Sequence, residues 1–163
     1  MDLKQQASRV LDLARKAGCR IATVESCTGG MVAAALTAIA GSSDVVERGW
    51  VTYSNQAKHD EVGVPQPILD THGAVSAETA IAMAEGALAA APGVDVAVSI
   101  TGIAGPGGAT ATKPVGLVHF ACAHRGKPTQ HSHHTFVGDR DQVRHQATRT
   151  ALSLLEQSLK HDQ

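Results

Sequence analysis

The chain has 163 residues, of which 14 are basic and 15 acidic, for a formal net charge of −1. That balance argues against a general attraction to nucleic acid or anionic membrane, though a local basic site for a small phosphorylated ligand stays open. Aromatic residues make up only 2%, which argues against base-stacking platforms, while 43% hydrophobic content suits one core of Ala, Val, Ile and Leu.

Residues 2–17 carry Leu3, Ala7, Val10, Leu11, Leu13 and Ala14 at helical spacing, and Gly18 supplies a stop. Residues 20–24 form a short strand. A helix is predicted from about residue 28 to Ala40, ending at Gly41. Val45 to Tyr53 reads as a second strand, weakened in its middle by Gly49. Ser54 or Asn55 can cap a short helix through Glu61. Pro65 and Pro67 break the pattern. Ser76 is the expected N-cap of an Ala-rich helix over 77–91, with Glu78 in its first turn suiting the dipole. Val94 to Ile100 is the clearest strand, and a glycine-rich loop covers 102–113. Val115 to Ala123 and Pro128 to Val137 form a hairpin around Arg125-Gly126. Asp139 can cap a final helix from 140 to about 160. One domain over 1–163 is expected: a three-layer α/β/α sandwich with a mixed parallel and antiparallel sheet.

Ligands of open α/β sheets bind beyond the carboxyl ends of strands. Three unusual loops follow predicted strands there, at 25–30, 53–58 and 101–108. In Glu25-Ser26-Cys27-Thr28-Gly29-Gly30, backbone N–H groups at a helix start are free, and the glycines leave room for a ligand. Ser26 can attack a carbonyl there, with N–H groups holding the oxyanion. Alternatively, Ser26 or Thr28 only caps the helix. Cys27 is the rival nucleophile, since a helix N-terminus favours the thiolate; a small buried residue is the other reading of it.

Tyr53 is the one tyrosine of the chain, and Lys58 follows five residues later. A lysine desolvated in a cleft loses its proton more easily and can then serve as the base of a Ser-Lys hydrolase. Tyr53 can relay a proton or hold Lys58 in place. The loop Thr101 to Gly108 fits neither a Walker A motif nor a dinucleotide fingerprint, because it leads into a strand; its glycines can still present N–H groups to an anion. Arg140 opens the final helix, an unusual place for a cation, tolerable if its fork binds phosphate or carboxylate. An ion pair with Asp139 or Asp141 is the alternative. His131 and His133 share a strand face and His134 points away, which makes at best a weak metal site. His72 is either a turn or a cleft residue.

Cys19, Cys27 and Cys122 have neither CxxC spacing nor an even count, so neither a disulfide framework nor a zinc site is expected. The amino terminus lacks the apolar segment of a signal peptide, and no run of about 18 apolar residues is present. A soluble cytoplasmic protein is expected.

Taken jointly, E-S-C-T-G-G (25–30), G-S-S-D-V-V-E-R-G-W-V-T-Y-S-N-Q-A-K (41–58), H-G-A-V-S (72–76), T-G-I-A-G-P-G-G (101–108), K-P-V-G (113–116) and G-D-R-D-Q-V-R (138–144) resemble the CinA carboxy-terminal domain family. Its characterised members include nicotinamide-nucleotide amidases. The resemblance implies a three-layer α/β fold and conversion of nicotinamide mononucleotide to nicotinate mononucleotide and ammonia. It implies Ser26 as nucleophile, Lys58 as base and Tyr53 as an assistant. The expected substrate-binding residues are Thr28, Gly29, Gly30, Thr101, Gly102, Gly105 and Arg140. It implies no metal, a small nucleotide as substrate and a homodimer; no cofactor is expected, and the charge balance leaves neither nucleic acid nor membrane as an expected partner. The chain looks like the form without the molybdopterin-protein-like domain that larger members carry. It departs from the family's usual G-P-D-G-G, because Gly107 follows Pro106 and no acidic residue precedes Lys113. The alternatives are a non-catalytic nucleotide-binding or competence-associated module and a thiol hydrolase using Cys27.

Overall fold

A computed structural model describes residues 1–162. It contains six α-helices and five strands: α1 Leu3–Ala17, β1 Ile21–Glu25, α2 Met31–Thr37, β2 Val46–Val51, α3 Asn55–Val62, α4 Gln66–His72, α5 Ala77–Ala90, β3 Val96–Gly102, β4 Leu117–His124, β5 Gln130–Thr135 and α6 Arg140–Lys160. The sheet runs β2-β1-β3-β4-β5. β1 pairs parallel with both β2 and β3, whereas β3–β4 and β4–β5 are antiparallel. The mixed three-layer sandwich is therefore as expected.

Its layers follow from the side-chain pattern. β1 and most of β3 are buried on both faces, as central strands between two helical layers must be. One face carries Ile21, Val98, Ile100, Phe120 and Cys122 against α1, α2 and α6. The other carries Ala22, Val24 and Ala97 against α3, α4 and α5, while Ala121 and Ala123 meet Ala80 and Ala84 of α5. Each fully buried Leu, Ile or Val contributes about 1.5–3 kcal/mol. No described helix is long and apolar enough to cross a membrane.

Local signals set most boundaries. Asp2 and Asp139 cap α1 and α6, each in a reciprocal pair with the glutamine three residues on. Ser54 and Ser76 cap α3 and α5. Two segments differ from expectation. α2 begins at Met31 and ends at Thr37, shorter at both ends than predicted, because residues 26–30 form a turn in which Gly29 and Gly30 take φ of +58° and +107°. α4 fills the stretch where two prolines argued against helix. Pro67 lies in its first turn, where a backbone N–H has no intrahelical partner to lose.

The parallel trio β2-β1-β3 matters most for function. It points the carboxyl ends of three strands to one edge, so the segments after Glu25, Val51 and Gly102 converge there.

Candidate active site

Ser26 is the first residue past β1. Its N–H donates to the Ile100 carbonyl of β3 (2.9 Å), which fixes the turn to the neighbouring strand. Residue 52 is fixed in turn by the bond from its N–H to the Glu25 carbonyl (2.8 Å). α3 starts just beyond, and its first turn aims Lys58 back under the sheet edge. Lys58 is only 1% exposed. Its Nζ lies 3.0 Å from Ser26 Oγ, 2.8 Å from the Thr52 carbonyl and 3.1 Å from the Tyr53 carbonyl.

Those three neighbours suit both charge states of the amine. As an ammonium it donates to all three. As a free amine it keeps two N–H donors for the carbonyls and turns its lone pair to the Ser26 hydroxyl. Burial pushes the Lys58 pKa down to about 8, with the Cys27 thiol acting weakly the other way. No acidic side chain offsets that cost among the described residues. A lysine poised near neutrality against a serine hydroxyl is the arrangement a general base requires.

Cys27 is disfavoured as a thiolate. It is buried, and burial pushes its thiol up to about 11, against the weaker pull of its own backbone N–H and Arg144. Cys27 still lines the same cleft, which has a volume of about 250 Å³ and is walled by Thr101 to Gly105, Ala74, Val75 and Arg140. The backbone N–H groups of Cys27, Ala104 and Gly105 find no acceptor among the described residues, and all three residues face this cleft. They are donors available to an oxyanion or phosphate. A larger cavity, about 680 Å³, lies between the start of α2 and α6, but it holds no pair of nucleophile and base.

The other predicted site residues divide. Arg140 reaches over the cleft: Nη1 donates to the Gly105 carbonyl (2.8 Å) and Nη2 to the Tyr53 hydroxyl (3.2 Å). It forms no ion pair with Asp139 or Asp141. Tyr53 gives Lys58 its carbonyl, while its exposed phenol faces Arg140 and not the lysine. Thr101 is buried beside the cleft and donates from Oγ1 to the Ala74 carbonyl (2.8 Å), which ties β3 to the turn before α5. Gly102 and Gly105 border the cleft, and a Cβ on Gly105 would lie 2.5 Å from Val115 Cγ1. Thr28, Gly29 and Gly30 do not line it. Thr28 is fully buried and donates to Glu25 Oε1 (2.6 Å). The glycines serve the turn: a Cβ on Gly29 would lie 3.3 Å from Arg144 Nη2. His72 ends α4, outside the cleft, and its carbonyl accepts from Lys113 Nζ (2.7 Å).

A family model described as the CinA C-terminal domain matches residues 3–159. The chain belongs to the CinA C-terminal domain family. It is 50% identical over 157 residues to an Escherichia coli K12 protein named nicotinamide-nucleotide amidohydrolase PncC, covering 96% of this chain and 93% of that one. It is 51% identical over 148 residues to a CinA-like protein of Syntrophobacter fumaroxidans, covering 91% of this chain. The chain spans only 34% of that relative's length. Among solved structures, the competence/damage inducible protein CihA of Agrobacterium tumefaciens superposes with a TM-score of 0.93 at 46% identity, covering 98% of this chain and 96% of that one. The competence damage-inducible protein A of Klebsiella pneumoniae superposes at 0.95 with 37% identity over 100% of both chains.

Two residues inside the CinA motifs carry parts of the site that their spacing does not reveal. Glu25, 1% exposed, accepts from the N–H groups of Val32 (2.9 Å) and Ala33 (3.1 Å). It thus caps α2 from the preceding strand, and Gly30 at the cap position adds no side-chain bond. Arg144 donates from Nε to the Cys27 carbonyl (3.0 Å) and clamps the 26–30 turn from α6. An acidic residue just before a helix start is a legible signal for the first. The second joins positions 117 apart and leaves no local signal.

Proposed function

We propose that this CinA-family chain is a nicotinamide-nucleotide amidohydrolase that works by Ser-Lys catalysis without a metal. The observation that carries the reading is the 3.0 Å contact between buried Lys58 Nζ and Ser26 Oγ. The relative named nicotinamide-nucleotide amidohydrolase, at 50% identity over nearly the whole of both chains, supports the substrate.

In this reading Ser26 Oγ attacks the carboxamide carbon while Lys58 Nζ takes its proton. The cleft N–H groups of Cys27, Ala104 and Gly105 stabilise the oxyanion; one such donor is worth about 3–4 kcal/mol of barrier. The tetrahedral centre collapses as Lys58 returns the proton to the departing nitrogen, which leaves as ammonia. A water, deprotonated by Lys58, then attacks the Ser26 ester. Its collapse frees the carboxylate and restores the hydroxyl. Arg140 and the glycine loop hold the phosphate or ribose. Tyr53 assists through its carbonyl on Lys58 and its hydroxyl on Arg140. The reading includes a cytoplasmic homodimer, which light scattering during gel filtration checks.

The test mixes purified protein with nicotinamide mononucleotide and measures ammonia, with Ser26→Ala, Lys58→Ala and Cys27→Ala in parallel. Release by wild type and Cys27→Ala alone supports the reading. No release by wild type sinks it in favour of a non-catalytic nucleotide-binding module. Loss in Cys27→Ala alone favours the thiol, and loss on adding EDTA overturns metal independence.

A further inference from the structure

A cluster outside the cleft has no part in this chemistry. The sequence alone puts His131 and His133 on one face of β5, too few ligands for a firm site. The fold adds a third from the neighbouring strand. His119 of β4 is the direct cross-strand partner of His133, so all three imidazoles stand on the face toward α5. His134 lies on the opposite face, with its ring stacked 5.4 Å from Phe136.

The three rings form a compact triangle, with centroid separations of 5.3 Å (119–131), 5.3 Å (119–133) and 6.0 Å (131–133). One ring nitrogen from each can be chosen so that all lie within 4.8 Å of one another. His119 Nδ1 and His131 Nε2 are 3.0 Å apart. In a tetrahedral zinc site, Zn–N bonds of about 2.0–2.1 Å put ligand nitrogens about 3.3 Å apart, so that pair needs to open only slightly. Apart from the His119–His131 bond, the rings make no hydrogen bond among the described residues. His119 and His131 are half-buried while His133 is exposed, which holds two ligands in place and leaves an approach for the ion. Of the nearby charges, Glu78 favours a cation at His119 and His131, whereas Lys113, whose Nζ donates to the His72 carbonyl, opposes one at His119.

We propose that His119, His131 and His133 bind one late first-row divalent cation, zinc in the first instance, with water as fourth ligand. Three neutral imidazoles are a donor set suited to zinc, copper and nickel. Binding requires the proton between His119 and His131 to move to an outer ring nitrogen, a tautomer change with no net proton release. The ion ties edge strand β5 to β4.

The test uses the full chain without an affinity tag, stripped of metal and titrated with zinc against a chromophoric chelator. One equivalent should bind per chain, and cobalt in its place should give the intense visible bands of a tetrahedral site. His133→Ala, an exposed position that leaves the fold intact, should weaken binding at least ten-fold; His134→Ala should not. Zinc should raise the thermal midpoint of wild type and not of His133→Ala. Equal affinity in wild type and His133→Ala overturns the proposal, as does the absence of a stoichiometric site. So does loss of binding in Cys19→Ser alone, which would assign the ion to the cluster of Cys19, His124 and Asp162. None of these readouts uses amidase activity.

Discussion

Glu25 caps α2 from the position just before Ser26. The two are adjacent at the end of β1, and the carboxylate takes the Val32 and Ala33 N–H groups that a serine at a helix start usually accepts from. The serine hydroxyl is left to Lys58. Glu25→Ala should therefore destabilise the fold by about 2–3 kcal/mol, since it strips a charged acceptor from buried donors. Glu25→Gln, which keeps one acceptor oxygen, should cost less. Urea denaturation of the two variants checks the order, and equal stability to wild type would refute the capping role.

Lys58 links activity to pH. Its pKa is lowered to about 8 by burial, so kcat/KM should rise with pH through that region and level off above it. The effect on stability has the same sign. Between about pH 8 and the ordinary lysine value near 10.4, the unfolded chain holds the proton that the folded chain has released, so folding stability rises with pH. Relative to Lys58→Met, wild type should gain about 2 kcal/mol between pH 7 and pH 10. A flat difference across that range would mean the buried amine is not depressed.

Cys27→Ala should keep amidase activity within a few-fold. The thiol sits at about 11, so it is essentially all protonated at neutral pH, and burial shields it further. Iodoacetamide at pH 7 should label Cys27 slowly in the folded protein and quickly after denaturation, as read by peptide mass. Rapid labelling with loss of activity would return the thiol to candidacy.

Arg140→Ala should act mainly on KM, lowering kcat/KM by about 10–100-fold, as loss of a charge-assisted anion contact does. Tyr53→Phe removes only the hydroxyl that faces Arg140, and leaves the carbonyl on Lys58 in place. It should cost less than Arg140→Ala. Steady-state kinetics on both variants, at saturating and limiting substrate, separates the two roles; a larger loss of kcat in Tyr53→Phe would put the phenol in the chemistry.

Features that act over three or four residues were legible in the sequence. The caps Ser54, Ser76 and Asp139 and the strand before Ser26 all belong to that class, because short-range hydrogen bonds and side-chain period leave a pattern in adjacent positions. The convergence of Ser26, Lys58 and the glycine loop followed from placing each loop after a predicted strand of an α/β sheet. What stayed hidden depends on contacts between distant segments. Arg144 clamps a turn 117 positions away, and His119 meets His133 only once β4 and β5 pair. α4 was missed for a different reason, since Pro67 breaks a helix interior but not a first turn. Gly29 and Gly30 suggested room for a ligand, but their positive φ answers to the turn itself.

Ser26 and Lys58 lie in different segments, after β1 and in α3, yet a short covalent and hydrogen-bonded path joins them. Ser26 follows Glu25; the Glu25 carbonyl holds the Thr52 N–H; the Thr52 carbonyl holds Lys58 Nζ. Apart from the Ser26 hydroxyl and the Lys58 side chain at its ends, every link is main chain. The spacing of Ser26 Oγ and Lys58 Nζ is thus inherited from sheet register, so a change of a cleft side chain outside this path need not move the serine off the lysine.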